Sequence, residues 1–217
     1  MDVEHARSNM IESQIRTWEV LDQTILDLLA AVKREDFVPA QYRVLAFADM
    51  EIPLGHGEVM LAPRLEARML QELTLTRADN VLEVGTGSGY VTALLANLCG
   101  QVVSVERIEE FSHSAARKLA GHGLTNARLE AGDAADGWAS HAPYEAILLT
   151  GSVPVLPDAL RRQLAIGGRL LAVIGDQPVM TATLITRVSD TAFESAGLFE
   201  TSIPPLRNVQ RPGRFVF

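Results

Sequence analysis

The residues best placed to do chemistry fall in Glu83-Val84-Gly85-Thr86-Gly87-Ser88-Gly89, where three glycines on alternate positions join an apolar run to a helical one. Glycine takes positive φ without a Cβ penalty and lets the backbone approach a ligand closely. The helix that follows directs its free N–H groups at whatever lies there. Such a turn suits a cofactor. Two further acids stand at comparable places. Glu106 closes the apolar run Gln101-Val102-Val103-Ser104-Val105, about twenty residues after the loop, where a carboxylate can accept both hydroxyl hydrogens of a ribose. Asp133, in Gly132-Asp133-Ala134, follows a third run.

The dinucleotide fingerprint is Gly-x-Gly-x-x-Gly, and here the third glycine falls one residue early, with Tyr90 in the fingerprint's position. A nicotinamide cofactor is therefore disfavoured. Three acids at successive strand ends match the amino-acid end, ribose and adenine of one ligand, which favours S-adenosylmethionine, with S-adenosylhomocysteine as product. Each acid alone also fits a helix N-cap or a turn. Taken together, in one βαβ register at the carboxyl edge of a sheet, they define a candidate cofactor set. It comprises Glu83, Gly85, Thr86, Gly87, Ser88, Gly89, Glu106, Arg107, Gly132, Asp133, Ala134 and Thr150.

The elements that must position these residues are legible as periodicities. Ile25, Leu28, Leu29 and Val32 share a helical face within a pattern running from Ser8 to about Lys33, and Asp22 is placed to cap its second piece. Leu65, Met69, Leu70 and Leu73 share another. Thereafter apolar strands alternate with amphipathic helices, the last helix expected from about Pro157 to Ala165. Thr- and Val-rich Met180 to Val188 predicts antiparallel edge strands. The expected fold is α/β, a Rossmann-like doubly wound and mostly parallel sheet of about seven strands with an N-terminal helical extension. Residues 1–217 read as a single domain, of which 1–60 form the helical, substrate-side extension.

Net charge is -8, which argues against a non-specific hold on nucleic acid. Cys99 is the only cysteine, so no disulfide or thiolate metal site is expected, and no histidine pair has zinc-ligand company. The first residues lack a signal-peptide core, and no apolar run approaches the roughly 18 residues of a membrane span. A soluble, cytoplasmic protein without a metal or membrane partner is expected.

The sequence resembles the protein-L-isoaspartate O-methyltransferase family over nearly its whole length. The likeness is carried by Phe37-Val38-Pro39, Pro53-Leu54-Gly55-His56-Gly57, Val81 through Tyr90, Val105-Glu106-Arg107, Gly132-Asp133, Ala142 through Ile147, and Leu164-x-x-Gly167-Gly168-Arg169-Leu170. The resemblance implies S-adenosylmethionine against Glu83, Gly85, Gly87, Ser88, Glu106 and Asp133. It also implies carboxyl methylation of isoaspartyl residues in damaged proteins and peptides. In that family Gly-His-Gly is followed by Gln-Thr-Ile-Ser-x-Pro, whereas this chain has Glu58-Val59-Met60-Leu61-Ala62-Pro63. His56, Val59 and Leu61 thus occupy the substrate-loop positions with both hydroxyls gone, and Glu58 adds a negative charge near an anionic acceptor. Gly151-Ser152 is expected to return a hydroxyl near the cofactor. Two other readings stay open: methylation of a different, apolar small-molecule acceptor, and a cofactor-binding module without catalysis.

Overall fold

The computed structural model describes residues 2–209. Helices α1 (Val3–Met10) and α2 (Gln23–Ala31) open the chain. The helical pattern expected from Ser8 divides ahead of the piece that Asp22 caps: a π-turn over Ile11–Ile15 and a 3-10 turn over Arg16–Trp18 end at Glu19, whose φ is 61°. An L-residue in the left-handed region cannot propagate a right-handed helix, so the chain turns there. Asp22 does cap the second piece, its Oδ1 accepting from the amides of Thr24 at 2.7 Å and Ile25 at 3.4 Å.

A short antiparallel hairpin follows, β1 (Ile52–Gly55) and β2 (Glu58–Met60), turned by Gly55, His56 and Gly57, all at positive φ. Pro63 then opens α3 (Pro63–Leu73), which buries the predicted face Leu65, Met69, Leu70 and Leu73.

The sheet is built from β3 (Asn80–Val84), β4 (Gln101–Glu106), β5 (Ala127–Ala131), β6 (Tyr144–Leu149), β7 (Leu164–Asp176), β8 (Val179–Arg187) and β9 (Phe193–Thr201). Between them run α4 (Tyr90–Leu98), α5 (Glu109–Gly121) and α6 (Asp158–Arg162). The strand order is β5-β4-β3-β6-β7-β8-β9. Strands β3 to β7 are parallel, and β8 and β9 run antiparallel to their neighbours. The chain winds outward from β3 to β5 and then returns to add β6 on the other side. That reversal leaves a crevice at the carboxyl ends of β3, β4 and β6, where open α/β sheets bind ligands.

Side chains alternate across the sheet. Val81, Val102, Ala146 and Leu148 face the core shared with α3, α4 and the N-terminal helices, while Leu82, Val84, Ile147 and Leu149 face the core beneath α6. Two expectations shift. Helix α6 ends at Arg162, because β7 begins at Leu164 and takes Gly167 and Gly168 into the strand. Strand β8 lies inside the sheet, and the edge is β9, most of whose residues are exposed.

Candidate cofactor crevice and acceptor wall

The crevice takes in about 780 Å³ of space, part of it open solvent. Gly85 and Gly87, Glu106 and Arg107, Gly132 to Ala134, and Thr150 line one side of it, each set from the end of a different parallel strand.

Glu106 is held from both ends. Its Oε2 accepts from the Gly87 amide and its Oε1 from the Ile108 amide, each at 2.9 Å. An ionised carboxyl offers about four lone-pair sites, so two remain for a diol. Asp133 does two jobs: Oδ1 accepts from the Ala135 amide at 3.0 Å, forming the turn its position allowed, while Oδ2 accepts from Asn208 Nδ2 at 2.7 Å. Arg107 Nε lies 3.5 Å from the same oxygen. At Gly85, with φ 97°, an added Cβ would meet Thr150 Oγ1 at 2.4 Å. That hydroxyl donates to the carbonyls of Val84 and Gly85 at 2.9 and 2.7 Å, locking β6 to the start of the loop. A Cβ-free cradle beside an anchored carboxylate, ahead of the amino end of α4, fits S-adenosylmethionine.

Four residues of the expected cofactor set stand outside the crevice lining: Glu83, Thr86, Ser88 and Gly89. Glu83 shares its sheet face with Val81, so it points under α4 rather than into the crevice, and it is fully buried. Its Oε2 accepts from Thr92 Oγ1 at 2.5 Å and Ser104 Oγ at 2.6 Å, and Ser104 Oγ lies 2.6 Å from Thr86 Oγ1. Burial pushes the Glu83 carboxyl up to about 8 despite the hydroxyls that favour its charged form. Its Oε1 has no hydrogen-bond partner among the described residues. Glu83 and Thr86 therefore brace the loop from beneath. Ser88 Oγ accepts from the Tyr90 amide, and Gly89 admits α5, since a Cβ there would lie 2.8 Å from Ala115 Cβ.

The opposite wall carries Leu54, Val59 and Leu61 from the hairpin and its exit, Phe111 from α5, and Pro204 to Arg207. Val59 and Leu61 do face the crevice and make it apolar. Leu61 is fixed through its carbonyl, which accepts from Arg34 Nη2 at 2.6 Å. Arg34 is itself buried, paired with Glu66, donating to the Ala46 carbonyl, and stacked 4.9 Å over the Tyr90 ring. His56 is turned away: it is exposed, its Nε2 3.0 Å from Glu110 Oε2 and its ring edge-on to Phe111. Glu58 does not confront an acceptor as a bare charge, because Arg207 Nε donates to its Oε1 at 2.6 Å. Ser152 returns no hydroxyl to the crevice; it is buried and donates to the Ile203 carbonyl at 3.0 Å. The segment around Pro204 to Arg207 escaped the sequence reading because it has no periodicity, and only its Pro-Pro pair hinted at a stiff strap.

A model of the protein-L-isoaspartate(D-aspartate) O-methyltransferase family matches residues 5–208. The chain belongs to that family. It is 38% identical over 201 residues to protein-L-isoaspartate O-methyltransferase 1 of Rhodopseudomonas palustris (strain HaA2), covering 92% of this chain and 82% of the relative. It is likewise 38% identical over 209 residues to the protein-L-isoaspartate O-methyltransferase of Methylorubrum populi, covering 96% and 98%. In fold it matches a Plasmodium falciparum protein described as a beta-aspartate methyltransferase and crystallised with S-adenosyl-L-homocysteine. The TM-score is 0.79 at 18% identity, over 93% of this chain and 98% of that one. In this member of the protein-L-isoaspartate O-methyltransferase family, the apolar hairpin residues Val59 and Leu61 and the strap that carries Arg207 line the same crevice.

Proposed function

We infer that this S-adenosylmethionine-dependent methyltransferase acts on the free carboxylate of isoaspartyl residues in damaged proteins and peptides. The observation that carries the reading is the make-up of the crevice. Among its described lining residues there is no His, Lys, Cys or Tyr, and its acids are otherwise engaged. Glu106 is tied to two amides, Asp133 to Asn208 and Ala135, and Glu58 to Arg207. An acceptor that had to lose a proton would find no free base. A carboxylate is ionised at pH 7 and needs none.

Bound S-adenosylmethionine supplies a sulfonium methyl group open to in-line displacement. The chain's own task is alignment, which can contribute several kcal/mol to lowering the barrier. In this reading Glu106 accepts from the ribose, Asp133 and Ala134 flank the adenine, and Gly85 and Gly87 let the backbone close on the ligand. The wall of Leu54, Val59, Leu61 and Phe111 excludes water from the reacting pair. The reading places the enzyme in the cytoplasm; among the described residues no helix is long and apolar enough to cross a membrane.

Transfer of a labelled methyl group to an isoaspartyl peptide tests this. The expected product is an ester whose label is released by mild alkali. An alkali-stable product, or transfer only to an apolar small molecule, would overturn the carboxylate acceptor.

A further inference from the structure

The strap beside the crevice is fixed by its backbone. The Ser152 amide donates to the Pro204 carbonyl and the Leu206 amide to the Ser152 carbonyl, each at 2.9 Å, so Pro205 pairs with Ser152, beyond the end of β6, in a parallel bridge. Leu206 packs on Gly151 so closely that a Cβ there would lie 2.8 Å from Leu206 Cδ2. Arg207 thus starts from a fixed Cα. Its guanidinium lies along the hairpin, with Nε on Glu58 Oε1 and Nη2 on the His56 carbonyl. Nη1 makes no protein hydrogen bond among the described residues, and the side chain is about half exposed, at 52%. It is held by two partners and still open on one edge.

Among the described residues two cations line the crevice, and they stand on different sides. Arg107 lies beside Asp133, at the cofactor side. Arg207 lies on the wall built from Leu54, Val59, Leu61 and Leu206, whose side chains offer no donor. An anion brought against such a wall loses water and needs a charged donor in return. A guanidinium meets a carboxylate through parallel N–H donors.

We propose that Arg207 binds the acceptor's carboxylate and so determines specificity for an anionic acceptor, with Glu58 holding the guanidinium in place. The inference rests on the isoaspartyl reading of the same site. Glu58 also balances the wall's charge, so the acceptor is oriented without a lone strong cation quenching it. Val59 and Leu61 then shape the pocket and take no part in charge recognition.

Three variants separate this from a merely structural clip: Arg207→Gln, Arg207→Lys and Glu58→Gln. Each is loaded with S-adenosylhomocysteine and titrated with a fluorescent isoaspartyl peptide, and KM and kcat are measured alongside. Removing a hydrogen bond to a charged group costs about ten- to a hundredfold in binding. Arg207→Gln is therefore expected to weaken peptide binding and raise peptide KM by about tenfold or more, with S-adenosylhomocysteine affinity and thermal melting near wild type. Arg207→Lys recovers part of the loss, and Glu58→Gln costs less than threefold. Equal losses in Arg207→Gln and Glu58→Gln, which break the same ion pair, would show a clip only and overturn the proposal. So would unchanged peptide binding in Arg207→Gln. Wild-type protein that fails to select isoaspartyl over aspartyl peptide would overturn the function and this inference together; a selective wild type whose preference for the isoaspartyl peptide over its uncharged isoasparaginyl amide survives in Arg207→Gln overturns the inference alone.

Discussion

Glu83 lies in a sealed slot between β3, β4 and α4, and its carboxyl is raised to about 8 against an ordinary 4.5 by burial. The folded chain keeps a proton there that the unfolded chain releases above about 4.5, so stability falls as pH rises from about 5 to 8. Glu83→Gln removes that dependence. Urea unfolding at the two ends of this window is expected to show the wild type losing on the order of a few kcal/mol more than the variant. Equal slopes would mean that Glu83 is charged in the fold. At the loop itself, Gly85→Ala is expected to lower S-adenosylhomocysteine affinity at least tenfold by calorimetry, since its Cβ collides with Thr150 Oγ1 at 2.4 Å. Gly87→Val acts differently: at φ 51° its Cβ presses on Leu54 Cδ1 at 3.3 Å, so it strains the backbone and pushes the hairpin wall. It is expected to abolish cofactor binding. The residue types of the loop were readable because glycine and acid spacing is local. Which way Glu83 points depended on strand parity, and that is settled only by the face that Val81 buries.

The elements before the sheet position the apolar wall that is proposed to face the acceptor. Arg34, in the turn after α2, holds the Leu61 carbonyl, the Ala46 carbonyl and Glu66 at once. Arg34→Met leaves Glu66 buried and unpaired, which is expected to cost about 3–5 kcal/mol in urea unfolding. In the surviving folded fraction, peptide KM should rise more than cofactor affinity falls, because the released element is Leu61 and not the glycine loop. A variant as stable as wild type would show that the pair contributes nothing net. Helix α2 was legible from Asp22 and the Ile25, Leu29, Val32 face, and α3 from Leu65 to Leu73. A break ahead of Asp22 was legible from that cap, but its position at Glu19 was not, because no glycine, proline or asparagine marks it; the turn is held there by Arg68, which donates to the Trp18 carbonyl and to Glu19 Oε2. Strand β9 was missed for a related reason: as the sheet edge it is mostly exposed, so it carries no apolar alternation.

At the scale of the whole molecule, the doubly wound sheet follows from apolar strands alternating with amphipathic helices, and that rhythm is local enough to read. The proposed acceptor side is assembled from distant segments. Glu58 and Arg207 meet across 149 residues, and Asn208 reaches Asp133 across 75. No local pattern signals such pairs, so the hairpin's lost hydroxyls were readable from sequence while the arginine facing them was not. The isoaspartyl reading requires this fold to methylate the acceptor carboxylate without those hydroxyls. The most direct test is kcat/KM for an isoaspartyl peptide against its aspartyl twin, for the wild type and for a Val59→Thr, Leu61→Ser double variant. Strong wild-type preference for the isoaspartyl peptide is predicted. Absence of wild-type turnover, with activity appearing only in the double variant, would contradict it.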